Sequence, residues 1–531
     1  MTPRILFATS NGTGLGHLTR SMAIARRLDS SFEALVLTLS AAAPVVREAG
    51  FAVEYVASYN TPGSGSDYRW SRRLRGRLRA ALSEARPDVL VFDGAHPYQA
   101  LLDAMPASSG THRVWCRRPM WKPGSNPGAL ARTPFFDAVL EPGEFAADHD
   151  RGPTVARRDE AKRVAPIVFC EPEELLPRAD AERELGLAPG RLNVLVQLGQ
   201  GAEVRQATER CLRHLAGREG VQVAALSSAI AGLESRGKAA PEGVVQLRST
   251  YPMSRYYSAF DAAVSAAGYN AYHELIHLRV PSLFVPMRRE TDDQAVRARH
   301  AASSGVGRGV EGPGASELER MLDELLDREA RQAMRGRLAE LQFPNGAGEA
   351  ARWLERLAVT ERRRGPRAGV GRWRRYARDP LGQARKAAPF LARLPRSAAA
   401  VIHQELTRPK PRTVMLALGA PGQDELERGL AEALAQTPDP PERVLVVTDS
   451  LAFAPLRAAG VGFEHVPARG EPQAEAGAEG ASEDGYEGFL RRRLALILAE
   501  RPRPRRVLTV GDTDAGTPPL SYPEGRRRRR A

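Results

Sequence analysis

The constraint that most limits this chain is its alternation of short apolar runs with helical stretches. "RILFAT" is followed by "HLTRSMAIARRL", "ALVLTLS" by "PVVREAG", "FAVEYVA" by "RWSRRLRGRLRAALSEARP", and then comes "DVLVFDG". Each apolar run is too short for a helix and reads as a buried strand. Strands joined through helices pair in parallel, and a parallel sheet needs both faces covered. The predicted class is therefore α/β. Ligands of such sheets lie beyond the carboxyl ends of the strands. Asn11–His17 and Asp93–His96 both fall at that edge.

The pattern resumes after a Pro-rich, charged passage at 160–192. "NVLVQLGQG", "VQVAALSS" and "GVVQLRS" read as strands, and "FDAAVSAAGYNAYHELIHLRVPSLFVPM" adds strand, glycine loop, helix and strand. The expectation is two doubly wound Rossmann-like domains facing a cleft, residues 1–165 and 166–360. Residues 361–410 read as a basic linker. Residues 411–531 read as a smaller accessory Rossmann-like half-domain with a disordered insert, "EPQAEAGAEGASEDG", and a tail Arg526–Arg530. This last unit is a degenerate copy of residues 1–105: "REAGFAVEYV" returns as "RAAGVGFEHV", and the helix and strand of Arg72–Gly94 return in Leu490–Asp512. The copy has "GAPGQDE" in place of "NGTGLGHLT" and so lacks the histidine.

Composition narrows the function classes. A length of 531 residues exceeds one core. The net charge of +14 does not argue for nucleic acid, because five lysines among 77 basic residues indicate a bias towards arginine, and no nucleic-acid reader motif is present. The segment from Arg362 to Arg396 mixes arginine with Trp373, Tyr376 and Phe390, a composition that suits peripheral contact with an anionic membrane. Cys116, Cys170 and Cys211 are scattered, which suits reduced thiols better than disulfides or a metal cluster. With neither a signal segment nor a membrane span, the expected location is cytoplasmic, with contact at the inner face of the plasma membrane.

The stretch "FDAAVSAAGYNAYHELIHLRVPSLFVPMRRETDDQAVRARHAASSGVG" resembles the nucleotide-binding half of GT-B glycosyltransferases, family 28 in particular. "VAPIVFCEPEELL" resembles that family's interdomain passage and "GTGLGHLTR" its N-terminal glycine loop. The resemblance extends to about residue 357. It implies a metal-independent inverting hexosyltransferase with no cofactor. Such an enzyme takes a nucleotide-sugar donor, UDP-linked, and a glycan, lipid-linked or small-molecule acceptor.

Each candidate residue has a physical role under that reading. Gly199 and Gly201 in "QLGQG", and Gly268 in "SAAG", let backbone amides at helix starts approach a diphosphate. Glu274 has two oxygens for two ribose hydroxyls. Asp293 and Gln294 contact the donor sugar, with Asp292 as the helix N-cap in the simpler alternative. Tyr251, Pro252 and Met253 lie where the resemblance puts the base. His17 is the candidate general base, since a neutral imidazole at a helix start keeps its acceptor nitrogen. Asp93 either orients His17 or is itself the base, with His96 a third choice. Gly14 and Gly16 are assigned to the acceptor, although Leu15 interrupts the usual run of glycines. A rival site is Asp512 and Asp514 in "GDTD", whose carboxylates suit a divalent metal. A nucleotide-sugar hydrolase or epimerase, and a non-catalytic nucleotide-sugar-binding scaffold, remain alternatives on the same fold.

Overall fold

A computed structural model describes residues 2–10, 15–59, 67–105, 110–199, 202–226, 243–247, 250–342, 344–360, 411–419, 421–472, 474, 485–498 and 504–510. Gly14, Gly201, the basic linker, most of the acidic insert, Asp512, Asp514 and the arginine tail lie outside them.

Along the chain run β1 (Arg4–Thr9), α1 (Gly16–Ala25), β2 (Glu33–Thr38), α2 (Ala43–Glu48), β3 (Ala52–Tyr55), α3 (Asp67–Ala85), β4 (Val89–Asp93), α4 (Gln99–Ala104), β5 (His112–Cys116), α5 (Pro127–Leu130), β6 (Ala138–Pro142) and β7 (Ala161–Val164). There follow α6 (Arg178–Leu185), β8 (Leu192–Gln197), α7 (Ala202–Leu215), β9 (Val221–Leu226), β10 (Val244–Leu247), β11 (Ala262–Ala266), α8 (Tyr269–His277), β12 (Ser282–Val285), α9 (Gln294–Ser304), β13 (Arg308–Gly309), α10 (Leu318–Leu326), α11 (Arg328–Glu340) and α12 (Ala347–Val359). The last group is β14 (Thr413–Ala417), α13 (Gln423–Ala435), β15 (Val444–Thr448), α14 (Phe453–Ala458), β16 (Gly462–His465), α15 (Gly485–Leu498) and β17 (Arg506–Thr509).

Two compact units emerge: Met1–Ala34, Val89–His96 and His112–Thr360 in one; Leu35–Asp88, Pro97–Thr111 and Glu361–Ala531 in the other. The first unit holds two parallel sheets. In one, β1, β4, β5, β6 and β7 are neighbours in that order. The other has the order β10-β9-β8-β11-β12-β13. Their central strands are buried almost throughout, as Phe7, Val91, Val114, Val264 and Phe284 show. That is what a sheet covered on both faces requires of its sequence. On α7, Val204, Ala207, Cys211 and Leu215 recur at helical spacing and enter the core of the second sheet.

The strand passage between these two sheets is held by close backbone approach. Gly346 N–H donates to the Pro166 carbonyl at 2.8 Å and Gly143 N–H to the Ala165 carbonyl at 3.3 Å. A Cβ on Gly143 would stand 2.7 Å from the Pro166 nitrogen, and one on Gly346 would strike the Ala165 carbonyl. Asn345 closes the clasp through both Val168 backbone groups. The helix that follows, α12, then returns to pack on α1, β1, β4 and β7. We expect Gly346→Ala to lower the melting temperature with little loss of sheet signal in circular dichroism, because backbone that cannot yield meets the new methyl. A melting curve unchanged within about 1 °C would contradict this, since overpacking typically costs roughly 1–3 kcal/mol.

In the second unit β2 and β3 pair in parallel from Leu35↔Ala52 to Thr38↔Tyr55. A four-stranded parallel sheet has the order β16-β15-β14-β17. The element sequence β1-α1-β2-α2-β3-α3-β4 recurs there as β14-α13-β15-α14-β16-α15-β17.

Candidate active site

The first group forms because β1 and β4 are neighbours and both end at the same level, with Thr9 opposite Asp93. Ser10 N–H donates to the Asp93 carbonyl at 3.0 Å, which ties the start of the following loop to that edge. The chain enters α1 at Gly16, so His17 stands at the helix start above Asp93. Its Nδ1 lies 2.7 Å from Asp93 Oδ1. Arg20 is one turn further along the same helix face. It grips the same carboxylate with both arms, Nε to Oδ2 at 2.8 Å and Nη2 to Oδ1. This two-pronged geometry is the strong form of an arginine–carboxylate pair.

Asp93 is wholly buried. Burial alone would raise its carboxyl, but the Arg20 cation and the His17 hydrogen bond hold it below its ordinary value. An ionised carboxylate at 2.7 Å from Nδ1 favours the proton on Nδ1, and Nε2 then carries the ring's acceptor lone pair. Burial, outweighing the Asp93 partner, lowers the His17 pKa. The ring is thus neutral near neutral pH, and among the described residues nothing hydrogen-bonds its Nε2. His96 is elsewhere: its Nδ1 meets Asn126 Oδ1 at 3.1 Å on the exposed surface.

The second group comes from α8 and α9. Gly268 is the residue before α8, and a Cβ there would lie 3.7 Å from Gln294 Nε2. Gln294 is fully engaged at its carbonyl, which accepts from Met287 N–H at 3.0 Å, and its amide donates to Asp292 Oδ2 at 3.1 Å. Asp293 precedes α9 with a half-exposed side chain, and its backbone N–H donates to the Met120 carbonyl at 2.9 Å. Glu274 lies in the second turn of α8, buried, with the Phe169 backbone as its hydrogen-bond partner. Burial pushes its carboxyl up to about 7. Gly199 ends the first strand of this sheet in the left-handed region, φ 91°, with open space where a Cβ would be.

The two groups touch. Asn270 Nδ2 donates to the Gly16 carbonyl at 3.1 Å, and Tyr251 OH to Thr19 Oγ1 at 3.1 Å. The turn after β5 forms a short antiparallel bridge with the turn before α9, Trp121 opposite Asp292, and Lys122 N–H donates to the Thr291 carbonyl at 2.7 Å. Arg118 reaches Asp292 at 3.2 Å, and Arg297 holds Asp292 and Glu144 at 2.9 Å each. Burial would raise Glu144, but Arg297 and then His273 bring it down to about 2. The Tyr269 ring lies beside both the Arg20 and the Arg297 guanidinium.

Sequence reasoning did not find Arg20, Arg118, Glu144, Tyr269 or Arg297. Arg20 had one usable signal, its position three residues after His17 in "HLTR". The others had none, because one arginine among so many carries no distinction. The three cysteines are free and buried. Among the described residues no helix is long and apolar enough to cross a membrane.

Comparison with known proteins follows the second group. Residues 184–349 match the glycosyltransferase family 28 C-terminal domain. A curated relative from Aquifex aeolicus, UDP-N-acetylglucosamine--N-acetylmuramyl-(pentapeptide) pyrophosphoryl-undecaprenol N-acetylglucosamine transferase, is 33% identical over 135 residues. That match spans 25% of this chain and 39% of the relative. Among solved structures, Acinetobacter baumannii MurG is similar at 15% identity and a TM-score of 0.44, covering 67% of this chain and all of that one. Spinosyn forosaminyltransferase SpnP is similar at 18% identity and a TM-score of 0.47, covering 68% of this chain and all of that one.

Proposed function

We propose that this protein is a metal-independent, inverting glycosyltransferase that moves a hexosyl group, of the N-acetylhexosaminyl type, from a UDP-sugar to a hydroxyl acceptor. The observation that carries the reading is the His17–Asp93–Arg20 assembly, joined through Asn270 and Tyr251 to the family 28 domain. The donor and the lipid-linked acceptor in the Aquifex relative's name motivate the choice of sugar and acceptor class.

In this mechanism His17 Nε2 accepts the proton of the acceptor hydroxyl as its oxygen attacks the anomeric carbon. Asp93 keeps the ring in the right tautomer and stabilises the imidazolium that forms; being held ionised, it serves as orienter and not as base. The bond to the donor diphosphate breaks on the opposite face, and the configuration inverts. Backbone amides at Gly199 and at the head of α8 meet the departing charge with dipoles already in place. Glu274 takes the ribose hydroxyls, and Asp293 and Gln294 the sugar hydroxyls. Gly16 lines the acceptor side with its neighbour His17.

Calorimetric titration with UDP, TDP and GDP tests the donor assignment. We expect saturable UDP binding that is lost in Glu274→Ala and kept in His17→Ala. Absence of binding by all three nucleotides would sink the reading.

Glu274 also predicts a pH dependence. Without nucleotide its neutral form is populated up to about pH 7. Ribose hydroxyls donate to the carboxylate, so binding favours the ionised form and releases a proton below about pH 7. UDP affinity relative to that of Glu274→Gln should therefore rise from about pH 6 to about pH 8, by about tenfold per unit at the acid end. A constant ratio across that range would show that ribose does not engage the carboxylate.

A further inference from the structure

Within the second unit the two halves of the internal repeat meet through equivalent residues. Glu54 in β3 and Glu464 in β16 stand at the same place in the repeated motif, and both are buried. The buried stripe on α3, Arg73, Leu74, Arg77, Leu78 and Ala81, returns on α15 as Phe489, Leu490, Arg493, Leu494 and Ile497. By this burial pattern, two positions off the ungapped match of Arg72–Gly94 to Leu490–Asp512, Arg77 and Arg493 are counterparts. Arg493 reaches Glu54 of the other repeat with two bonds, at 2.8 and 3.0 Å. Arg77 reaches Glu464 of the other repeat at 3.4 Å and the His465 carbonyl at 2.6 Å.

A contact of i with j that is matched by j with i is the signature of a two-fold interface between like subunits. Here it occurs within one chain. The apolar part is consistent with it: Tyr55 packs on Phe463 and Phe453 at 5.8 and 4.9 Å between ring centroids. Tyr55 N–H also points at Nδ1 of His465, its own counterpart, at 3.4 Å. α15 packs on α3 at Gly76, where a Cβ would stand in ordinary contact with Leu496 Cδ2 at 3.6 Å. Strands β3 and β16 end their sheets, and this packing covers both edges, which are otherwise prone to unwanted pairing.

We propose that the β3–α3 face is a self-association surface whose fitting partner is a second copy of the same half-domain. Residues 411–510 are that copy, fused into the chain and seated on the face in cis. Displacing it frees the face to pair with the same face of another molecule. In that pairing Arg77 of each copy meets Glu54 of the other, as Arg493 does now, and Gly76 faces Ala80, the counterpart of Leu496.

The test uses the full chain with E464R and R493E together. These set like charges against Arg77 and Glu54 while leaving the N-terminal face untouched. G76C and A80C are added as reporters. We expect the native mass to double in sedimentation. Under mild oxidation, a disulfide should link the thiol introduced by G76C in one molecule to the thiol introduced by A80C in the next. Without the charge reversals the same reporters should give no intermolecular link. A chain that keeps the wild-type mass, or that dimerises without this link, overturns the proposal. Should the reversed chain fail to fold, the neutral pair E464Q and R493M is read by the same two outcomes.

Discussion

Asp93→Asn is expected to lower kcat by about 10³–10⁴-fold while leaving UDP affinity near the wild-type value. The carboxylate does two things for His17. It stands 2.7 Å from Nδ1 to accept its proton, and under the proposed mechanism it supplies the negative charge that stabilises the imidazolium formed when the acceptor is deprotonated. An amide of the same shape keeps neither duty: it can turn its NH2 towards Nδ1, which selects the wrong tautomer, and it carries no charge. The proposed donor contacts lie on α8 and α9, which the change does not touch. The same substitution leaves Arg20, 1% exposed, without its anion, so a lower melting temperature is part of the expectation. Kinetics at a temperature well below the melting point of the variant separate the two effects. A kcat within about tenfold of wild type would remove Asp93 from the mechanism and leave His17 to be explained otherwise.

Glu54→Ala is expected to destabilise the second unit by about 3–5 kcal/mol, the usual cost of removing one member of a buried ion pair. Glu54 is 1% exposed and accepts from two buried arginines: Arg77 at 2.8 Å and Arg493 at 2.8 and 3.0 Å. Without it both cations stay buried with their remaining partners, Glu464 for Arg77 and Glu84 for Arg493. Burial would raise the Glu54 carboxyl, but Arg493 and Arg77 hold it below its ordinary value of 4.5. A carboxyl depressed by folding contributes stability above its unfolded pKa and loses it as pH falls through the folded one. The deficit of the variant should therefore be full at about pH 7 and shrink in acid below about pH 4. Differential scanning calorimetry at both pH values measures this. A melting shift of under about 2 °C at neutral pH would mean that the arginines find other partners at no cost.

Much of this was legible in the residues alone, for reasons that are local. The strands were readable because β-strands covered on both faces must be continuous apolar runs, and "ILFA", "VLVF" and "VLVV" are such runs. The position of His17 and Asp93 at one sheet edge followed from strand direction, since parallel strands end on the same side. The strand–glycine–helix order around Gly268 and Glu274 was readable as local pattern, while their donor-binding roles came from the family resemblance. The internal repeat was visible as repeated letters.

The rest depended on distance across the fold. Whether Asp93 orients or acts as base turns on Arg20, which comes to it from 73 residues away in sequence and holds it ionised. The bridge of Trp121 to Asp292, and the grip of Arg118 and Arg297 on that carboxylate, join turns that no spacing rule connects. β5, β6 and β7 went unread, because "HRVWC", "AVLEP" and "AKRV" mix charge into short runs. The likeness of residues 411–531 to residues 1–105 was readable as pattern. What the copy packs against was not readable, because reciprocal contact between Arg77 and Glu464 and between Arg493 and Glu54 is a property of two surfaces meeting, and a sequence pattern records each surface but not the meeting.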